Sequence, residues 1–206
     1  MNNRKNLLII FTRNIEFGKC KTRLAKTVGP EIALDIYRFL VKHTADISSG
    51  IDADKWVFYS ENPQREDDFD DQKFSKFTQQ GDDLGIRMQS AFELGFSHGY
   101  KKVIIIGSDI YDLASSDLID AFEYMNKHNF VIGPAEDGGY YLLGLKELKE
   151  DIFTNKSWGT SVVLRETMDT LESEDVKLLE VRNDVDIYED IKDIAVFQKF
   201  LKDRKQ

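Results

Sequence analysis

Short, continuous apolar runs alternate along the chain with longer stretches whose apolar positions recur at helical spacing. Leu7-Leu8-Ile9-Ile10-Phe11 is unbroken by polar residues, so Asn6–Thr12 reads as a strand buried on both faces. Pro30 at a first helical turn, with Glu31 beside it, opens a helix to about Ser48, and Ile32, Leu34, Ile36, Tyr37, Leu40 and Val41 form its apolar face. Trp56–Tyr59 is a second strand, 61–75 a polar loop or short helix, and Lys76–Gln80 a short third strand. Leu84–Ser97 is helical, with Leu84, Met88, Ala91, Phe92 and Gly95 on one side. Lys102–Gly107 carries Val103-Ile104-Ile105-Ile106 and is the clearest central strand. Ser115 or Ser116 caps a helix to about Lys127. Phe130–Gly133 and Tyr140–Leu145 are further strands, Ser161–Leu171 is a helix, Val176–Val181 a strand, and Tyr188–Leu201 a terminal helix. Strands alternating with helices predict one α/β domain over residues 1–206, a Rossmann-like three-layer sandwich around a mainly parallel sheet.

Charge adds a second pattern. The 206 residues carry a net −9, yet residues 1–26 hold seven basic side chains (Arg4, Lys5, Arg13, Lys19, Lys21, Arg23, Lys26) against one acid, Glu16. An acidic chain without a broad basic surface excludes nucleic acid as the main partner. A basic, glycine-containing loop directly after a buried strand is instead how an α/β protein builds an anion site, because open sheets bind ligands outside the carboxyl ends of their strands. Arg13, Lys21 and Arg23 in that loop can pair with phosphate oxygens. The single cysteine, Cys20, excludes an internal disulfide and suits a reducing cytoplasm. The run at 7–11 is too short to span a bilayer, and no small-residue cleavage site follows it.

Four further segments at element ends can carry chemistry. Ile106-Gly107-Ser108-Asp109 ends the central strand. Asp109 at the lip of the sheet suits a hard cation shared with a phosphate, or is an ordinary turn residue. Asp184-Val185-Asp186 presents two carboxylates on one side of an extended segment, as a metal donor pair or as the cap of the last helix. Gly133-Pro134-Ala135-Glu136-Asp137-Gly138-Gly139-Tyr140-Tyr141 places Glu136 and Asp137 before two glycines, as a general base or as a hairpin turn. In Gln79-Gln80-Gly81-Asp82-Asp83-Leu84-Gly85-Ile86-Arg87, Asp82 or Asp83 caps a helix. Gly81 frees the backbone, and Arg87 reaches a phosphate or base, or forms a surface salt bridge. The P-loop, the dinucleotide-binding glycine fingerprint, the Ser-His-Asp elbow and metal-ligand histidine spacing are all missing.

These segments together, with Phe17-Gly18-Lys19-Cys20-Lys21-Thr22-Arg23-Leu24 and Trp158-Gly159-Thr160, resemble the rSAM/selenodomain-associated transferase 1 family. Its members are glycosyltransferases of arsenosugar-biosynthesis type in the GT-A, nucleotide-diphospho-sugar transferase superfamily. The resemblance runs from Leu7 to about Leu201. It implies a GT-A-like fold, a nucleoside-diphosphate sugar donor, an unidentified small-molecule acceptor and Mg²⁺ or Mn²⁺. It further implies that Lys21 and Arg23 hold the diphosphate and that Asp109 takes the metal-binding position with Asp186 beside it. The chain departs from the family at Arg13 (usually Lys), Ile15 (usually Pro), Tyr111 (usually Pro) and Ile187-Tyr188 (usually Thr-Pro). On this reading Asp137, then Glu136, is the acceptor-side base, and Gly81 and Arg87 belong to the donor site. The alternatives are nucleotidyl transfer to a small phosphorylated acceptor, or a catalytically weakened nucleotide-binding protein.

Overall fold

The computed structural model describes residues 6–64 and 66–202, so Arg4 and Lys5 of the basic cluster lie outside the described residues. Seven strands form one sheet: β1 (Asn6–Thr12), β2 (Asp54–Tyr59), β3 (Ser75–Thr78), β4 (Lys102–Ile106), β5 (Phe130–Pro134), β6 (Tyr140–Leu145) and β7 (Val176–Leu178). Their order across the sheet is β3-β2-β1-β4-β6-β5-β7. All pairings are parallel except those of β6, which runs antiparallel to both β4 and β5. The mainly parallel α/β sheet expected from the sequence is therefore the observed one. The chain works outward from β1 to β3 and then returns to place β4 on the other side of β1. That reversal leaves a crevice above the carboxyl ends of β1 and β4, where open sheets bind ligands.

The helices are α1 (Thr22–Val28), α2 (Pro30–Ser49), α3 (Leu84–Ser97), α4 (Ser115–Tyr124), α5 (Val163–Thr170) and α6 (Gln198–Lys202). Alternate residues of the central strands feed opposite faces. Leu8, Ile10, Ile104 and Ile106 pack in one core with Tyr37 and Val41 of α2 and Leu118 and Phe122 of α4. Leu7, Ile9, Val103 and Ile105 pack in a second core with Met88 and Phe92 of α3. This two-sided burial is why β1 and β4 read as unbroken apolar runs.

The structure corrects several expectations. Residues 22–28 form α1 rather than loop; Leu24 and Val28 bury their side chains against Ile36 and Leu40 of α2. The residue preceding α4 is Ala114, in extended conformation, and the Asp117 carboxylate accepts its backbone N–H at 2.8 Å. Ser115 is the first helical residue and donates to the Ile47 carbonyl instead, so neither Ser115 nor Ser116 is the cap. Two helices and a strand are shorter than expected: α4 ends at Tyr124, α5 covers 163–170, and β7 stops at Leu178. The terminal helix over 188–201 is broken into 3₁₀ turns at Tyr188–Asp190 and Ala195–Phe197 followed by α6, with Ile194 extended between them. Docking decides this, because Val185, Ile191 and Phe197 must all reach the same cluster beside α1 and α2.

Ile104 is fully buried at the middle of β4, paired with Leu8 and Gly144. A Cβ on Gly144 would stand 3.2 Å from both Ile104 and Met125, so no spare side chain can fill a gap there. Ile104→Ala should cost about 2–5 kcal/mol. At roughly 2–4 °C per kcal/mol for a chain of this size, the melting temperature should fall on the order of 10 °C. A calorimetric midpoint within a degree or two of wild type would contradict this packing.

Candidate active site

The crevice is floored by a hydroxyl cluster that ties three elements together. Thr12 at the end of β1, Tyr37 of α2 and Ser108 just beyond β4 bond mutually: Thr12 Oγ1 to Tyr37 Oη at 3.1 Å, Tyr37 Oη to Ser108 Oγ at 3.3 Å, and Ser108 Oγ to Thr12 Oγ1 at 3.0 Å. The Arg13 backbone N–H donates to the Tyr37 hydroxyl at 2.9 Å, which fixes the start of the basic loop. Burial raises the pKa of the Tyr37 phenol, so it stays a neutral hydroxyl partner.

Lys21 stands directly above this floor. Its backbone is left-handed (φ 48°, ψ 48°), an uncommon state for a lysine, and its carbonyl accepts the first bond of α1 from Ala25. Its ammonium meets Asp109 Oδ2 at 2.9 Å, with the lysine side chain only 8% exposed. Burial would lower the lysine pKa, but the charges of Asp109, Asp184 and Asp186 outweigh it and the pKa is raised, holding the ammonium charged. Arg23 projects outward and pairs with Asp186 at 2.8 Å.

The carboxylates arrive from three places. Asp109 follows β4. Asp137 sits in the β5–β6 turn, where Ala135 N–H bonds the Gly139 carbonyl. Its Oδ1 accepts the Gly139 N–H at 2.8 Å, which makes it a turn residue and fixes its rotamer. Gly138 must be glycine here: its φ is +89°, and a Cβ would meet the Ser161 carbonyl at 2.1 Å. Asp184 and Asp186 lie on the segment after β7. That segment is held by the Ala135–Arg182 bridge, by a Val185 N–H bond to the Asp109 carbonyl, and by Arg182 pairing with Asp112 at 3.0 Å and Asp117 at 2.9 Å. Neither Asp184 nor Asp186 caps a helix; Asp190 does so, accepting the Asp186 and Ile187 N–H groups. Partial burial, with Asp109 and Asp137 adding to it against the pull of Lys21, pushes the Asp184 pKa up to about 6. Carboxylates crowded in this way at the lip of a sheet mark a place that draws positive charge.

Two contiguous cavities open over these groups. The larger, about 740 Å³, is polar and is bordered by Arg13, Lys21, Arg23, Arg87, Asp109, Asp184 and Asp186. Arg87 is steadied by the carbonyls of Gly81, at 2.8 Å, and of the Gln79 side chain, at 3.4 Å. Gly81 (φ +134°) borders neither cavity and contributes that carbonyl. Asp83, rather than Asp82, caps α3, accepting the Ile86 N–H at 2.8 Å. The smaller cavity, about 280 Å³, is walled mainly by apolar side chains and has Asp137 at its edge. Asp109 and Asp184 border both. Glu136 is exposed and borders neither.

Of the expected site residues, the structure therefore brings Arg13, Lys21, Arg23, Arg87, Asp109 and Asp186 to one cavity and Asp137 to its neighbour. Asp184, which sequence reading ranked no higher than Asp186, is the carboxylate shared between them. Tyr37 and Trp158 were not read as site residues. Tyr37 looks like one more apolar position on a helical face, and its role emerges only when β1 and β4 converge on it.

Residues 45–160 match the family described as uncharacterized proteins conserved in bacteria, DUF2064. The chain belongs to the DUF2064 family. The matched span carries Asp109, Asp137 and Trp158, whereas the basic loop and Asp184-Val185-Asp186 lie outside it. No curated protein matches this DUF2064 chain. Among solved structures it is similar to a provisionally named nucleotide-diphospho-sugar transferase from Desulfovibrio desulfuricans G20, at 28% identity and a TM-score of 0.85 over 97% of this chain and 95% of that one. It shares its fold with 4-diphosphocytidyl-2C-methyl-D-erythritol synthase of Anaerococcus prevotii (10% identity, TM-score 0.60, 96% and 97% covered). It also shares it with a CMP:2-keto-3-deoxy-manno-octonic acid synthetase complexed with CTP (11%, TM-score 0.55, 95% and 98%). Among the described residues of this DUF2064 member, no helix is long and apolar enough to cross a membrane.

Tyr37→Phe removes the hydroxyl that joins Thr12, Ser108 and Arg13. Thr12 and Ser108 still bond each other, so the loss should be about 1–3 kcal/mol. It is read as an earlier midpoint in urea; an unchanged midpoint would show that the cluster does not hold the crevice together.

Proposed function

We propose that this protein transfers a glycosyl group from a nucleoside-diphosphate sugar to a hydroxyl of a small acceptor, with Mg²⁺ or Mn²⁺. The observation that carries this is the polar cavity, in which Arg13, Lys21, Arg23 and Arg87, with Lys19 at the rim of the basic loop, share one space with the carboxylates of Asp109, Asp184 and Asp186. A diphosphate needs the first set, and a hard cation bridging to it needs the second. The order of the motifs, as in the arsenosugar-type transferases that the chain resembles, supports the same assignment, as does the likeness to the Desulfovibrio protein.

Among the described residues no group of three or more His, Cys, Asp or Glu side chains forms a ready cage for an ion. Mg²⁺ does not require one. It is ordinarily held by one or two carboxylates, substrate phosphates and water. Asp109, with Asp184 or Asp186, supplies oxygen donors of that kind beside a space large enough for a diphosphate. Bound there, such an ion would supply positive charge against the departing diphosphate. Lys21 and Arg23 act toward the same end: bound to the phosphates, they stabilise the charge that grows as the glycosyl bond breaks, which lowers the barrier. Gly81 steadies Arg87 against the rest of the nucleotide. On the other side, Asp137 is held in one rotamer by Gly139 and takes the proton of the acceptor hydroxyl. Glu136 ranks behind it, because it borders neither cavity.

Nucleotidyl transfer is the second reading, favoured by the fold shared with the CTP-bound synthetase. Products separate the two. With mixed nucleotide sugars and Mn²⁺, glycosyl transfer releases a nucleoside diphosphate, whereas nucleotidyl transfer from a nucleoside triphosphate releases pyrophosphate. No metal-dependent turnover of either kind would leave a nucleotide-binding protein.

Two variants test the residue roles. A charge-assisted contact is worth roughly 1.5–3 kcal/mol, so Lys21→Ala should weaken nucleotide binding about tenfold or more by calorimetry. Unchanged affinity would remove Lys21 from the donor site. Asp137→Asn should lower turnover strongly while leaving donor affinity near wild type. A variant that melts far lower yet turns over normally when folded would show Asp137 to be a turn residue alone.

A further inference from the structure

The smaller cavity carries information that the donor site does not. Its walls include Phe11, Met88, Leu143, Tyr140, Trp158 and Val163, drawn from β1, α3, β6, the loop before α5 and the start of α5. Its charged lining consists of Asp109, Asp137 and Asp184, and among the described residues that border it there is no lysine, arginine or histidine. The polar cavity next door has five cationic neighbours, Arg13, Lys19, Lys21, Arg23 and Arg87, alongside its carboxylates. The two spaces differ in kind: one offers cations to an anion, the other offers none.

Trp158 is placed in this wall by a specific device. A Cβ on Gly85, in the first turn of α3, would stand 2.3 Å from the indole Nε1 and 2.5 Å from Cε2. The indole can therefore approach the helix this closely only because residue 85 has no side chain. Tyr140 meets Trp158 edge-on, with ring centroids 6.5 Å apart. Together they give the cavity an aromatic wall suited to the face or edge of an apolar body. Its volume of about 280 Å³ exceeds the ~150 Å³ of an engineered cavity that takes up benzene, so one ring with a short substituent fits.

We infer that the acceptor is a compact neutral alcohol with an apolar body, seated against Trp158 with its hydroxyl at Asp137, and that phosphorylated or carboxylated acceptors are excluded. This rests on the glycosyl-transfer reading for the hydroxyl's role, while the binding preference follows from the cavity alone. A phosphate here would meet three carboxylates, and the one cation paired with them, Lys21, borders only the polar cavity, whereas a neutral ring gains contact with the indole. Gly85 is then a specificity-determining residue, since it decides where the indole lies.

Saturation-transfer NMR with benzyl alcohol, phenyl phosphate and glycerol as probes tests this on the wild-type protein, on Trp158→Ala and on Gly85→Ala. Alanine is the better helix former at position 85, so the second variant should keep α3 while displacing the indole. UDP with Mg²⁺, titrated by calorimetry in all three proteins, reports on the polar cavity, which Trp158 does not border. The inference expects benzyl alcohol to bind with at least fivefold preference over the other two probes. Both variants should lose at least fivefold of that affinity while their circular dichroism and UDP affinity stay at wild-type values. Phenyl phosphate binding as well as benzyl alcohol would overturn it. So would benzyl alcohol affinity unchanged in both variants, or no binding of any probe to the wild type. If benzyl alcohol behaves as expected and UDP fails to bind, the cavity's preference stands and the donor reading falls.

Discussion

An ammonium withdrawn from water must find a carboxylate, and the buried Lys21 meets the partly exposed Asp109 at 2.9 Å above the carboxyl ends of β1 and β4. Much else in the crevice answers to that contact. The two residues are 88 positions apart, and they meet because β1 and β4 are neighbours at the point where the strand order reverses. Lys21 adopts a left-handed backbone to reach inward, a cost that the surrounding contacts must outweigh. Asp184, already partly desolvated, feels the charge of Asp109 and Asp137 and is pushed toward its neutral form, with Lys21 pulling the other way. The hydroxyls of Thr12, Tyr37 and Ser108 hold the floor beneath, so that the two strand ends keep their spacing.

The same geometry separates two chemistries within a few residues. Phe11, Leu84, Gly107, Asp109 and Asp184 form the partition between the cavities, and each cavity takes its character from what lies beyond that wall. On one side the basic loop and Arg87 supply cations. On the other, β6, Trp158 and the start of α5 supply rings and aliphatic groups. A reaction that moves an uncharged group from an anionic carrier to a neutral acceptor has use for this arrangement, because the charge that develops stays on the cationic side.

The sheet was legible in the sequence because both faces of its central strands are buried. That burial makes 7–11 and 103–106 unbroken apolar runs, and helical spacing between them supplies the crossovers. The errors have physical causes. Residues 22–28 are polar enough to read as loop, and α1 exists because Leu24 and Val28 dock on α2. Residues 188–201 have helical spacing, yet they must deliver Val185, Ile191 and Phe197 to one cluster, and a single straight helix does not do that. Lys21 and Asp109 were readable from their positions just beyond strands. Three features were not: the pre-eminence of Asp184 over Asp186, the Tyr37 hydroxyl bridge and the seating of Trp158 on Gly85. Each depends on residues distant in the chain meeting at one point, which spacing along a single segment does not encode.

The central claim is that the cations after β1 and the carboxylates after β4 and β7 jointly hold a nucleoside diphosphate and its metal. A crystal soaked with UDP and Mn²⁺, with anomalous differences collected at the manganese edge, tests it most directly. The account predicts a single anomalous peak within coordination distance of Asp109, bridged to diphosphate oxygens that contact Lys21 and Arg23. A diphosphate bound away from the basic loop, or manganese bound away from Asp109 with Lys21 still paired to it, would contradict the account.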